Sequence, residues 1–320
     1  MFQEHPDKLR DVALPQRIAV ILPCYNEAAT IGKVVSDFRR ALPTADIYVY
    51  DNNSRDRTRD EAAAAGAIVR TEPRQGKGNV VLRMFADIDA DVYVMADGDD
   101  TYDAAAAPAM ISKLLQDQVD MVVGCREGGG EAAYRPGHRL GNRLFTGFLA
   151  WLFGRAFTDI LSGYRVFSRR FVKTFPSLSS GFEIETELAA HALSLRIPVG
   201  EVPTRYGERP EGSTSKLNTY RDGWRILRTM LRLFRQERPS AYFGIAAAVL
   251  AIVAVVLAIP LAITYAETGL VPRLPTAVLC TGLVILAMLS LACGLILDNV
   301  AHGRRELRRL AYLTWPSTGA

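Results

Sequence analysis

The chain has 320 residues, 49% of them hydrophobic, enough for one substantial folded core and further apolar segments beside it. Its net charge of +4 is too mild to argue for nucleic acid as a partner. The four cysteines, Cys24, Cys125, Cys280 and Cys293, form no CxxC pair and no metal-ligand spacing, so neither a thiolate metal centre nor an oxidising compartment is called for.

The opening stretch MFQEHPDKLRDVALPQR lacks the apolar core of a signal peptide. Residues 1–16 are therefore expected to form a tail, and the domain that follows to stay in the cytoplasm. From residue 17 to about 125, short β-rich runs alternate with helical ones. IAVILP, DIYVYD, AIVRTE, DVYVMAD and DMVVGC read as strands; ATIGKVVSDFRRAL, RDRTRDEAAAAG, GKGNVVLRMFADI and AAAAPAMISKLLQD read as the helices between them. This alternation predicts an α/β fold with a mostly parallel, doubly wound sheet. In such sheets ligands bind beyond the carboxyl ends of the strands.

Three of those ends are chemically loaded. The first carries Pro23, Tyr25, Asn26 and Glu27; the second Asp51, Asn52, Asn53, Ser54 and Asp56; the fourth Asp97, Gly98, Asp99 and Asp100. A single acid there would simply cap the next helix. Three clusters on one rim point to a binding site.

Beyond Gly124 the pattern is less regular, with the Gly- and Arg-rich GGGEAAYRPGHRLGNR followed by a helical run, LFTGFLAWLFG. The α/β domain is expected to span 17–223. Over 224–239 the arginines at 225, 228, 232 and 235 gather on one helical face, with Leu227, Leu231 and Phe234 among the apolar remainder. That pattern predicts an amphipathic helix lying in a membrane interface.

Neither Ala241–Ala266 nor Leu274–Leu297 holds a charged residue. Each exceeds the roughly 20 apolar residues needed to cross a bilayer. A transmembrane hairpin over 240–298 follows, with spans at 241–265 and 275–297 and Pro260 near the end of the first. Arg225, Arg228, Arg232, Arg235 and Arg238 precede it, Arg304, Arg305, Arg308 and Arg309 follow it, and the loop has only Arg273. This bias predicts that both ends are cytoplasmic and that 299–320 form a basic tail.

The most specific chemical element is DGDDTYD, residues 97–103. Two carboxylates flanking a glycine at a strand end suit one hard divalent cation, Mg²⁺ or Mn²⁺, with room for a pyrophosphate. Such an ion would neutralise charge growing on a nucleoside diphosphate leaving group.

PCYNE (23–27), DNNSRD (51–56), GKGN (76–79), DGD (97–99), LSGYR (161–165) and GSTSK (212–216) occur in one order. Together they resemble the inverting family 2 glycosyltransferases of GT-A fold, and more narrowly the dolichyl- and polyprenyl-phosphate sugar synthases with a two-helix anchor. The resemblance implies transfer of a sugar from a UDP- or GDP-linked donor to a polyprenyl phosphate, at a bilayer, with a divalent metal.

It further implies that Pro23, Tyr25 and Glu27 line the nucleoside pocket and that Asp51 faces the base. Lys77 and Gly78 would lie near the donor phosphates. Asp97 and Asp99 would hold the metal and diphosphate, with Gly98 allowing close backbone approach. Arg139, Ser162, Gly163, Arg165, Arg209, Ser215 and Lys216 would face the acceptor phosphate, with Asp99, Arg165 and Lys216 closest to the chemistry. Asn52 stands where many relatives carry Asp, Thr101 where mannose synthases often carry Gln, and GSTSK is one residue longer than the common form. Donor sugar and base are thus left open, as is assembly into a homo-oligomer.

A lipid phosphate is largely ionised at neutral pH, so its oxygen can attack an anomeric carbon without a strong general base. The site then needs cations to position it, a task suited to guanidinium groups. Glu183, Glu185 and Glu187 in GFEIETEL fit either sugar-facing contacts or an exposed helix face and receive no role. A polysaccharide synthase would carry a QxxRW-type motif and more spans; FRQERP is only a superficial match. A dehydrogenase would show GxGxxG where PCYNEAATIG stands. A non-catalytic scaffold that merely binds nucleotide-sugars would have no use for both Asp97 and Asp99 beside a basic acceptor set.

Overall fold

The apolar runs of the N-terminal half form β1 (Ile18–Cys24), β2 (Asp46–Asp51), β3 (Ile68–Thr71), β4 (Val92–Met95) and β5 (Met121–Glu127). Between them lie α1 (Ile31–Ala41), α2 (Thr58–Ala64), α3 (Lys77–Asp87) and α4 (Ala107–Gln116). The chain continues through β6 (Arg165–Ser168), α5 (Arg169–Thr174), α6 (Ile184–Ser194) and β7 (Val199–Arg205). This computed structural model describes residues 17–127, 147–148, 150–151, 157–176, 183–207 and 219–317, with backbone alone for 219–226. Of the expected helical run LFTGFLAWLFG, residues 147, 148, 150 and 151 are helical and the remainder lies outside the described residues.

The described strands form one mixed sheet in the order β3-β2-β1-β4-β6-β5-β7. β1 pairs in parallel with β2 and β4, β2 with β3, and β5 with β7. β6 runs antiparallel to both its neighbours, with Met95 opposite Arg165 and Val123 opposite the same arginine. Neither β6 nor β7 belongs to the expected strand set. The reason is local: β6 is only four residues long, and β7 (VGEVPTR) is interrupted by Pro203, which an edge strand tolerates.

Side-chain alternation sorts the core into two layers. Val20, Leu22, Val94 and Val166 pack with Ile31, Val35 and Phe38 of α1 and with Met110 and Leu114 of α4. On the other face, Phe85 of α3 meets Tyr93 and Phe167 edge-on, and Phe167 stacks on Phe171 of α5. Each such buried ring contributes about 1.5–3 kcal/mol relative to exposure. All four β4 residues are buried, as expected of a strand covered on both sides.

Residues 1–226 with 308–320 form one compact unit, and residues 227–307 a second. In the first, Asp120 is 1% exposed and gathers four donors: Ser168 Oγ (2.7 Å), Nε and Nη2 of Arg170 (both 2.6 Å) and Tyr312 Oη (2.5 Å). Arg170 also lies over the Tyr312 ring at 4.6 Å, and Arg309 donates to the Leu195 carbonyl at 2.9 Å. His191 is buried against Phe171 and Phe175, and among the described residues neither of its ring nitrogens has a hydrogen-bond partner. Burial, reinforced by Arg308, pulls its pKa down to about 3.

The helices after β7 are α7 (Thr219–Glu237), α8 (Pro239–Thr268) and α9 (Leu274–Leu313). On α7, Leu227 and Leu231 are about half exposed, beside the exposed Arg228, Arg232 and Arg235. Both α8 and α9 are long and apolar enough to cross a membrane, and only 6% and 11% of their most apolar stretches is buried. A core helix of a soluble protein would be mostly buried. Where they pack on each other, Ser290 Oγ donates to the Phe243 carbonyl at 3.0 Å, and Gly294 leaves space that a Cβ would lose to Phe243 at 2.9 Å. The second helix runs on past Leu297, so the arginines following the apolar stretch are helical as far as Leu313.

The buried polar groups set the expected stability of three variants. Asp120→Ala strands the Arg170 guanidinium and should cost about 3–5 kcal/mol in unfolding of the detergent-solubilised protein. Tyr312→Phe, which removes one hydrogen bond, should cost about 1 kcal/mol. For His191, the unfolded imidazole takes a proton below about pH 6.5 while the folded one stays neutral until about pH 3. Its contribution is therefore present above pH 6.5 and is lost as pH falls through that window. Relative to His191→Phe, the native chain should lose about 2 kcal/mol of stability between pH 7 and pH 5.

Candidate active site

The loops that leave β1, β2 and β4 meet at one rim, and their own polar groups build them. Asn26 takes a left-handed backbone (φ 52°), which Asn tolerates, and its amide donates to Ser54 Oγ at 2.8 Å. In return Asn26 Oδ1 accepts from the Arg55 amide at 2.8 Å, and the Glu27 amide donates to Thr58 Oγ1 at 2.8 Å. PCYNE and DNNSRD are thus stitched into one platform. Pro23 and Tyr25 are half-buried on it, as is Glu27.

Asp51 is 1% exposed and accepts from the Ser54 amide at 3.2 Å, so its carboxylate holds the turn. Asn52, noted in the sequence only as a departure, is also buried. Its Oδ1 accepts from the Gly76 amide (2.7 Å), while its Nδ2 donates to the carbonyls of Glu72 (2.9 Å) and Arg74 (2.8 Å). This brace fixes the loop that delivers Lys77. Gly76 sits at φ 130°, where a side chain would be strained.

The acid loop packs directly on β1. A Cβ on Gly98 would lie 2.6 Å from Cys24 Sγ, and the Gly98 carbonyl accepts from Thr30 Oγ1 at 2.7 Å. Asp99 is 4% exposed and accepts from Thr101 Oγ1 at 2.6 Å. Asp97 is more open, with 30% of its side chain exposed, and its Oδ1 accepts from Lys77 Nζ at 2.5 Å. The same ammonium donates to Glu185 Oε1 at 2.6 Å. Burial alone would lower the Lys77 pKa, but the two carboxylates outweigh it and hold the pKa well above its ordinary value.

LSGYR comes to the same place. Gly163 packs so closely that a Cβ would lie 2.8 Å from Asp97 Oδ2 and 3.2 Å from Lys77 Nζ. Its amide donates to Tyr102 Oη at 2.8 Å, tying this loop to DGDDTYD.

Two neighbours in that motif are buried beside it. Ser162 is fully buried and donates to the Gly124 carbonyl at 2.6 Å. Arg165 is 0% exposed, with Nη2 donating to the Ile160 carbonyl at 2.5 Å and Nε to the Ser162 carbonyl at 3.0 Å. Burial pulls its pKa down to about 10, which still leaves it charged at neutral pH. In this structure Ser162 and Arg165 bond to backbone carbonyls and shape the turn from within. Both mould the loop that carries Gly163.

Arg139, Arg209, Ser215 and Lys216 lie outside the described residues. Sequence reasoning left two contributors without a role, Glu185 and Tyr102. Among the described residues no three His, Cys, Asp or Glu side chains gather as a metal-holding group. Asp97 and Asp99 nevertheless offer hard oxygen donors on either side of a glycine, a set that fits a cation completing its shell with phosphate and water oxygens.

Residues 19–175 match the family model described as Glycosyl transferase family 2. AglJ, a glycosyltransferase of Haloferax volcanii, is 39% identical over 236 residues, covering 72% of this chain and 76% of AglJ. The chain belongs to glycosyl transferase family 2. A dolichyl-phosphate hexose transferase of the same organism is 28% identical, covering 69% of this chain and 95% of that protein. Among solved structures, glucosyl-3-phosphoglycerate synthase from Mycobacterium tuberculosis, in complex with Mn²⁺ and UDP-glucose, aligns with a TM-score of 0.55 at 23% identity. That alignment covers 68% of this chain and 78% of the synthase, and it bears out the GT-A fold expected from the motifs.

The glycosyltransferase has little slack where Gly163 meets Asp97. Gly163→Ala should displace the acid or the loop by a few tenths of an ångström or more and lower kcat/KM for sugar transfer about 100-fold, with the unfolding transition nearly unmoved. An alanine variant with native kcat/KM would show that this approach is not needed for transfer.

Proposed function

We propose that this family 2 glycosyltransferase moves a sugar from a nucleotide-sugar to a polyprenyl phosphate, with inversion, at the cytoplasmic face of a membrane. The observation that carries the proposal is the packing of Gly163 on the Asp97–Lys77 pair, which sets a motif expected to serve the acceptor against one expected to serve the donor. A relative named for transfer to dolichyl phosphate and two apolar helices long enough to span a bilayer support the same reading.

In this reading Pro23, Tyr25 and Glu27 receive the nucleoside on the platform at the ends of β1 and β2. Asp51 acts from beneath, through the turn it holds. Lys77 and the buried Gly78 at the start of α3 approach the donor diphosphate. Asp97 and Asp99 would hold a Mg²⁺ or Mn²⁺ ion, which would supply positive charge to the nucleoside diphosphate leaving group.

Arg139, Arg209, Ser215 and Lys216 grip the lipid phosphate, and Ser162 and Arg165 keep the Gly163 turn in shape for it. A phosphate oxygen attacks the anomeric carbon from the face opposite the diphosphate. The new C–O bond forms as the old one breaks, and the nucleoside diphosphate leaves with the bonding electrons. An already ionised attacking oxygen needs no proton removed, so orientation carries most of the rate. The arginines flanking the apolar helices put the chain's two ends on the cytoplasmic side, and α7 lies along the head groups with its leucines inward.

The test is a donor screen with radiolabelled UDP- and GDP-sugars and a defined polyprenyl phosphate. An α-linked donor should give a β-linked lipid-phosphate sugar, and a product of retained configuration would refute the mechanism. Asp99→Ala, and likewise complete chelation of divalent metal, should lower turnover by about 100-fold or more. Unchanged turnover without metal would remove Asp97 and Asp99 from their assigned task.

A further inference from the structure

Glu185 is the second residue of α6 and is 6% exposed, deep for an acid on a helix of a catalytic domain. Its neighbours Glu183 and Glu187 are only half-buried, and a two-residue step along a helix turns each of them well away from the direction Glu185 takes. Glu185 therefore reaches Lys77 by itself, at 2.6 Å, from an element 108 residues further along the chain.

A lysine paired with Asp97 alone would form a closed pair. Any donor complex drawing on the Asp97 carboxylate would also free the ammonium to swing on its flexible stem. Glu185 removes that freedom. It gives Lys77 a second anion, and on a further side the Gly163 backbone packs so closely that a Cβ there would lie 3.2 Å from the ammonium. An ammonium has three protons. Two point at Asp97 and Glu185, which leaves one for a third oxygen.

We infer that Glu185 is a positioning residue for donor binding: it clamps the Lys77 ammonium so that its remaining proton meets an oxygen of the nucleotide-sugar's diphosphate. It acts through Lys77 and touches neither substrate. This rests on the proposed function for the assignment of the diphosphate to the Lys77 side.

The test uses the full-length protein in detergent or nanodiscs, with UDP and GDP in the presence of Mg²⁺ as binding probes and sugar transfer as a second readout. Glu185→Gln keeps the shape and removes one charge, and Lys77 still has Asp97 as a counter-ion, so the fold is expected to survive. The variant should weaken nucleoside diphosphate binding and raise the donor KM by about 10-fold, the scale of one lost charge-assisted hydrogen bond, while the KM for polyprenyl phosphate stays within about two-fold. Glu185→Asp, which keeps the charge on a shorter stem, should restore part of the loss. In a Lys77→Gln background, Glu185→Gln should add almost nothing, because the clamp has nothing left to hold.

Native nucleotide binding in Glu185→Gln would overturn the inference and leave the proposed function standing. So would a full additional loss on top of Lys77→Gln, or equal rises in both KM values. A wild-type chain that binds neither UDP nor GDP and transfers no sugar would overturn both.

Discussion

The site is organised around one ammonium ion. Lys77 joins the start of α3 to the end of β4 through Asp97 and to the start of α6 through Glu185. These segments come from distant parts of the chain, and the Gly163–Tyr102 hydrogen bond and the Asn52 brace on Gly76 help to hold them in place. Removing two carboxylates and an amine from water is costly unless each finds a partner of opposite sign at close range. Here each does, and the charges can be close because Gly163 brings no side chain into the space beside them. The members depend on one another: a lysine with neither acid would turn to solvent, and the acids without the lysine would repel each other.

Around that centre the loops rely on side chains that bond to backbone. Asn52 closes the turn before Lys77, Asp51 closes the turn after β2, and Asn26 exchanges hydrogen bonds with Ser54 and Arg55. Loops held this way keep their shape without an apolar core of their own, which suits a rim that must remain open to a polar ligand. Arg165 extends the logic to its limit. A guanidinium buried in the sheet replaces the solvent that the carbonyls of Ile160 and Ser162 would otherwise need.

The first five strands, the acids at their ends and the apolar hairpin were legible because each is written in local pattern: alternation of element type, a carboxylate at the close of a β-rich run, or an uncharged stretch of sufficient length. β6 and β7 were not. RVFS is too short for a period to register, and Pro203 and Gly200 blur the other run; both become strands because neighbouring strands offer them hydrogen bonds. The same holds for side chains. Arg165 in LSGYR reads as a phosphate ligand, yet whether a guanidinium faces inward is decided by strands remote in sequence. Glu185 stands in a row of three glutamates, and no local rule says which of them meets a lysine 108 residues away.

The reversed direction of β6 has one more consequence. In a sheet of purely parallel strands, every segment reaching the working edge is an exit loop, and the helix after it follows on. Because β6 points the other way, with Arg165 level with Met95, it is the approach to this strand, LSGYR, that arrives beside the exit of β4. The loops on the two sides of this rim therefore attach to the framework with opposite polarity, one as the exit of β4 and the other as the approach to β6. Gly163 therefore meets Asp97 from a loop that enters the sheet rather than from one that leaves it.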